Sequence, residues 1–207
     1  MKKVAQFSLL AILLLAGGFT AWHFQDQPLE LKTTQLFPKP RPVINFLMTD
    51  HKGNAFTQEQ LKGKWSLLFA GYTSCPDICP TTMNKLSNAF PKLNAIAPIQ
   101  VVLISVDPQR DTPDKLNSYI QFFNSEFIAV TSEHKQLIPI TRSLGMAYSM
   151  VGEGDSYLVD HSASIVLVSP KGERFAMVKP KSSELGKIPQ IKTKALITDI
   201  TQIMKRY

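Results

Sequence analysis

Cysteine is the scarcest of the chemically reactive residues here, with only two in 207 residues. So few can neither staple a disulfide scaffold nor supply a four-cysteine zinc site. The 14 prolines and 10 glycines follow no repeat, which excludes collagen-like and solenoid designs. Residues 1–25 contain no acid, and residues 1–40 contain no arginine, which argues against a mitochondrial presequence. Also missing is a tight stripe of bases interleaved with aromatics. The formal charge of +7 is spread out, densest from Lys171 to Lys194, so it reads as a solvated basic face and no nucleic-acid partner is expected. Such a face suits anionic lipid or an acidic protein. What the chain does have is 44% hydrophobic residues, enough for a core and too many for wholesale disorder. The length fits one domain plus an extra segment.

That extra segment is the N-terminus. After Met1-Lys2-Lys3, residues 4–25 carry no formally charged side chain, with histidine counted neutral. A spanning helix needs about 20 largely apolar residues, so residues 4–25 are expected to form a transmembrane anchor. Lysines before it and Asp26 after it place residues 1–3 in the cytoplasm and the remainder outside, with Trp22 at the outer interface. The small residues Ala16 and Gly18 offer a cleavage point, but the run is long for a cleaved signal core. No cysteine follows the run, which argues against a lipoprotein anchor. The expected location is a bacterial inner membrane, single-pass, with the domain facing an oxidising periplasm. Residues 26–42, with Pro28, Pro38, Pro40 and Pro42, read as an extended linker, and the folded domain as residues 43–207.

Within that domain, Trp65–Tyr72 and Ile99–Val106 are short apolar runs of the kind found in sheets covered on both faces. Met83, Leu86, Phe90 and Leu93 fall at helical spacing after TSCPDICP, with Pro80 in the first turn and Pro91 expected to kink or divide the helix. Thr112-Pro113 opens a helix through Phe123; Phe127–Thr131 is a short strand; a helix from Glu133 to Leu144 stops at Gly145. Residues 164–169 and 173–178 flank Pro170-Lys171-Gly172 as a hairpin, and a helix over about 193–205 closes the chain. This order predicts an α/β sandwich with a mixed central sheet and flanking helices.

Cys75 and Cys79 lie at a strand-to-helix transition, beyond the carboxyl end of the first long strand, where ligand chemistry gathers in such sheets. Four residues make about one helical turn, so the sulfurs can converge, and a helix N-terminus favours thiolate. A merely stabilising disulfide is a poor alternative, because so short a loop restrains little unfolded-chain entropy. Disulfide exchange and metal binding remain open. A structural zinc wants four ligands; two thiolates suffice for Cu(I), and an added imidazole accommodates Cu(II). Among the four histidines, His23 falls in the apolar run, His51 beside a turn, and His134 in a polar helix start expected to be solvated. His161 directly precedes a buried strand, a position as compatible with a hydrogen-bonded structural residue as with a ligand.

GYTSCPDICPTTM, ISVDPQRDTPDKL and DHSASIVLVSPKG together resemble the three signature blocks of the Sco/SenC family, over most of residues 43–180. The resemblance implies a membrane-anchored, thioredoxin-like copper protein of cytochrome c oxidase assembly. It implies Cys75, Cys79 and His161 as copper ligands, for Cu(I), Cu(II) or both, with Cys75 and Cys79 forming a disulfide when oxidised. Asp160 is a candidate to orient His161. Asp107, in the turn to Asp111, is read as shaping the site rim through an Asp–Arg network, and Asp77 as a partner contact or a solvated residue. The expected activity is a metallochaperone, not a turnover enzyme, passing copper to oxidase subunit II or a related subunit. An upstream copper donor and a thiol reductant are the other expected partners, with the membrane through the anchor.

Two rivals follow from the same residues. A thiol-disulfide oxidoreductase would use the Cys75–Cys79 pair to reduce the acceptor's cysteines, but three residues separate them where the usual redox motif has two. Thioredoxins also set a proline before the later strand, whereas no proline lies between Pro139 and Pro170. A single-cysteine peroxidase gives His161 no role.

Overall fold

The computed structural model describes residues 17–18, 29–152, 154–182 and 189–207. The anchor expected over residues 4–25 lies outside the described residues apart from 17–18, and among those described no helix is long and apolar enough to cross a membrane. In chain order the elements are β1 (Thr34–Pro42), β2 (Leu47–Asp50), β3 (Ala55–Thr57), β4 (Trp65–Gly71), α1 (Ile78–Asn94), β5 (Ile99–Ser105), α2 (Pro113–Phe123) and β6 (Ile128–Thr131). There follow α3 (His134–Ser143), β7 (Tyr148–Val151), β8 (Leu158–His161), β9 (Ile165–Val168), β10 (Glu173–Val178) and α4 (Thr193–Arg206).

One sheet runs β1-β10-β9-β4-β5-β6-β2-β3. β4, β5 and β6 are parallel neighbours and every other pairing is antiparallel, so the sheet is mixed. Every residue of β4 and β5 is buried, as a strand covered on both faces requires. Alternation sorts their side chains: Leu68, Val102, Ile104 and Val130 share one interior seam with Ile140 and Leu144 of the α3 end. On the other face, Phe69, Gly71 and Leu103 meet Cys79 of α1. α4 packs beside α1.

Local signals explain the helix ends. Thr112 Oγ1 accepts a hydrogen bond from the Lys115 N–H with Pro113 just inside, the expected opening of α2. Gly145 adopts φ +76°, a left-handed value that stops α3. Of the two outcomes expected of Pro91, division is absent: it lies inside one unbroken 17-residue helix, α1.

The Pro-rich stretch read as part of a linker is mostly an edge strand. Residues 34–42 pair with β10 on one side only, and the compact unit begins at Leu31, not at Val43. Prolines are tolerated on an edge because their missing N–H is not needed by a second neighbour. Pro38 and Pro40 fall where the register breaks between Leu36 and Arg41.

This strand is fastened to the C-terminus. The buried carboxylate of Asp199 in α4 accepts the N–H groups of Lys32, Thr33 and Thr34 and the Thr33 hydroxyl, at 2.8–3.1 Å. Burial pushes this carboxyl up, but the N–H groups of Lys32 and Thr33 outweigh it, so its pKa lies below the ordinary 3.8. A lowered carboxyl stabilises the fold above its ordinary value and loses that contribution as pH falls through the lowered one. Asp199→Ala should cost about 3 kcal/mol, since it orphans buried N–H groups bonded to a charge. Urea unfolding at pH 7 and at pH 3 checks this: the gap between wild type and variant should shrink in acid.

Candidate metal centre

β4 delivers the chain to the site, and α1 carries it away. Gly71 ends β4 where a Cβ would come within 3.1 Å of Cys79 Sγ, tight enough that a larger residue would press α1 away. Tyr72–Asp77 form the connecting loop, with Cys75 in it, and Cys79 lies in the first turn of α1. Both cysteines are buried free thiols. His161 closes β8, opposite Tyr148 of β7, in a two-stranded hairpin separate from the main sheet. Its Nε2 lies 3.2 Å from Cys79 Sγ, and its ring packs edge-on to Phe69 and Tyr72. Residues 86 positions apart in sequence thus converge: donor atoms of Cys75, Cys79 and His161 all lie within 4.8 Å of one another. Among the described residues no other cluster of three such side chains exists.

The backbone fixes which imidazole nitrogen faces the sulfurs. His161 Nδ1 lies 3.2 Å from the Ser162 carbonyl oxygen, which can only accept, so Nδ1 carries a proton and Nε2 is the nitrogen turned towards the sulfurs. Nε2 is therefore the ring nitrogen available to a metal, and the partner that orients the ring is Ser162, not Asp160. Asp160 is exposed and makes no bond to the His161 ring; successive strand residues point to opposite faces, so adjacency in sequence argues against the contact.

The two thiols divide their ionisation. A hydrogen bond from Cys79 pulls the Cys75 thiol well below its ordinary value against the opposing effect of burial, with His161 and the N–H groups of Asp77 and Cys79 adding to it. Cys79 is pushed up by donating that bond, by burial and by the Cys75 charge. The resting pair therefore holds one thiolate and one proton. Iodoacetamide should label Cys75 first, at a rate that persists to about pH 6, where an ordinary thiol near 8.5 has mostly protonated. A rate that falls away below pH 8 would contradict the assignment.

Other candidates sort by where they lie. Asp77 is exposed beside Cys75, its carboxylate 3.4 Å from the Thr81 hydroxyl. Asp107 is fully buried and binds Arg110 Nε at 2.5 Å, the expected Asp–Arg network at the entry to α2. His134 is not simply solvated, since its Nδ1 lies 2.9 Å from the Tyr148 hydroxyl. His51 is a core residue, its Nδ1 accepting the Ala129 N–H. Sequence reasoning gave Asp111 no more than a rim role, yet it holds the cysteine loop: its buried carboxylate accepts the Thr73 N–H (2.9 Å), the Thr73 hydroxyl (2.6 Å) and the Ser105 hydroxyl (2.6 Å). Tyr72 and Ser162 were missed outright: Tyr72 acts through Val159, far along the chain, whereas Ser162 adjoins His161 and meets it through its backbone carbonyl.

Two sulfurs and one neutral imidazole nitrogen make a soft donor set, apt for copper and short of the four ligands of a structural zinc. The cysteine and histidine lie in the wall of an open cleft of about 530 Å³, lined also by Pro76, Ile78, Val151 and Leu158.

The family model described as SCO1/SenC matches residues 37–195. This chain belongs to the SCO1/SenC family. It is 39% identical over 141 residues to a "Putative copper-binding protein" of Stutzerimonas stutzeri, covering 66% of this chain and 69% of that one. It is 37% identical over 133 residues to the mitochondrial protein SCO2 homolog of Bos taurus, covering 62% of this chain but only half (50%) of the bovine protein. Among solved structures, Arabidopsis thaliana ScoI with copper bound matches at 31% identity and a TM-score of 0.68, over 81% of this chain and 100% of that one. The thioredoxin-like sandwich implied by the three motifs is thus the SCO1/SenC fold.

Proposed function

We propose that this SCO1/SenC protein binds one copper ion through Cys75 Sγ, Cys79 Sγ and His161 Nε2 and delivers it to a partner protein, the copper site of cytochrome c oxidase subunit II or a related subunit. The observation that carries the reading is His161 Nε2 standing 3.2 Å from Cys79 Sγ, with Nδ1 held by the Ser162 carbonyl. An imidazole nitrogen beside two sulfurs completes a soft donor set for copper. Similarity to copper-bound ScoI and to a protein named for copper binding supports the choice of metal.

Transfer proceeds by ligand exchange, with the acceptor's thiolates replacing the donor's one at a time in the open cleft. Binding needs both thiols reduced, so a Cys75–Cys79 disulfide must be opened by a reductant first. We also assign residues 4–25 to a membrane anchor that holds the domain at the outer face of a bacterial inner membrane; its support is the uncharged run behind Lys2 and Lys3.

The second reading, a thiol-disulfide oxidoreductase that keeps the acceptor's cysteines reduced, draws on the divided ionisation of Cys75 and Cys79. His161→Ala separates the two. It should remove tight Cu(II) binding and oxidase assembly while leaving Cys75–Cys79 oxidation intact. Full assembly by that variant would leave only the oxidoreductase.

A further inference from the structure

The hairpin β7–β8 supplies one donor atom of the site yet lies outside the main sheet, so sheet register does not fix where His161 stands. Beyond the bonds His161 and its neighbours make at the site, the hairpin is tied down at β7 by His134, whose Nδ1 meets the Tyr148 hydroxyl, and at the entry to β8 by Arg110. Arg110 Nη1 donates to the Tyr157 carbonyl at 2.9 Å, and its guanidinium stacks over the Tyr157 ring at 3.8 Å. The Tyr157 hydroxyl donates to Asp107 Oδ1 at 2.5 Å, and Asp107 Oδ2 accepts from Arg110 Nε. On its other side, Arg110 lies 5.7 Å from the Tyr72 ring, whose hydroxyl accepts the Val159 N–H at 3.3 Å. One guanidinium therefore stands between the loop that carries Cys75 and the strand that carries His161. It is based on a fully buried carboxylate in the turn before α2.

We infer that Arg110, anchored by Asp107 and acting through Tyr157, is a positioning residue that sets His161 against the cysteine pair and so governs the hold on Cu(II) far more than on Cu(I). The inference rests on the copper reading above. Two thiolates satisfy Cu(I) alone, whereas Cu(II) calls on the imidazole nitrogen, so misplacing His161 registers mainly in the oxidised metal. Loss of such an outer partner typically costs about 10–100-fold in metal affinity. Lysine cannot replace arginine here, because a point charge does not bond a carboxylate and a carbonyl in one plane while stacking on a ring.

The test uses the full-length reduced chain, with Cu(I) and Cu(II) affinities measured by chelator competition and the Cu(II) electron paramagnetic resonance and thiolate-to-copper absorption recorded. Arg110→Met and Arg110→Lys should each lower Cu(II) affinity about 10–100-fold and shift both spectra, leaving Cu(I) affinity within a few-fold. Tyr157→Phe, which removes only a hydroxyl, should shift the same spectra less and guards against an Arg110 variant that fails to fold. In the His161→Ala background, Arg110→Met should weaken Cu(II) no further, because the two act through one ligand. Wild-type Cu(II) affinity and spectra in the Arg110 and Tyr157 variants would overturn the inference while leaving the copper reading intact, and so would additive losses in the double variant. A wild-type chain that retains no copper would instead overturn the reading on which it rests.

Discussion

Cys79→Ser is expected to end copper retention altogether while leaving the fold nearly unperturbed. Serine is close to isosteric, and Cys79 is fully buried against Gly71, Phe69 and Leu103, so little repacking is needed. What changes is the donor: a hard hydroxyl replaces a soft thiolate, leaving Cys75 and His161 as a two-atom set. Dialysis of the reduced variant against a mild chelator should leave no bound metal, against one equivalent for wild type. Because this variant can form no Cys75–Cys79 disulfide, it also disables the oxidoreductase reading. It establishes the site, and the discrimination between readings falls to His161→Ala.

The second large effect is expected at Asp111. Its carboxylate is buried and receives three hydrogen bonds, two of them from Thr73, two residues before Cys75. Lys115 stands 3.7 Å away as its only nearby countercharge among the described residues. Asp111→Ala strands the Thr73 and Ser105 donors in the interior, at about 1–3 kcal/mol for each group left unpaired. The expected total is large enough to threaten the native state of an ordinary domain, whose whole stability is about 5–15 kcal/mol. Asp111→Asn keeps the shape and one acceptor oxygen and should cost less. Chemical unfolding gives the stability change, and the Cys75 alkylation rate reports on the loop. A variant as stable as wild type would mean that Thr73 and Ser105 find other partners.

Particular residues explain how far sequence reasoning reached. β4 and β5 were legible because uninterrupted apolar runs demand burial on both faces, and α2 because Thr112 and Pro113 cap it by local chemistry. Cys75 and Cys79 were legible as a pair from one helical turn of spacing. His161 was singled out by the DHSAS motif, since nothing local relates it to a cysteine 82 positions away. β1 was misread because prolines signal a linker wherever the partner strand is unknown, and its partner β10 is more than 130 residues away in the chain. Asp160 was a candidate by adjacency alone, and strand alternation turns it from the ring, which meets the Ser162 carbonyl. The Asp107–Arg110–Tyr157 contact joins residues 47 to 50 apart and exists only in the fold.

The position of β1 also decides what to purify. Truncation at residue 43 would delete the edge strand and strip Asp199 of its three N–H partners, so the full chain is the sample of choice. On that chain, reduced and loaded with excess copper, metal analysis coupled to copper X-ray absorption tests the central claim most directly. One copper per chain, bound by two sulfurs and one imidazole nitrogen, is the expected result. No copper retained, or copper bound without sulfur, would contradict it.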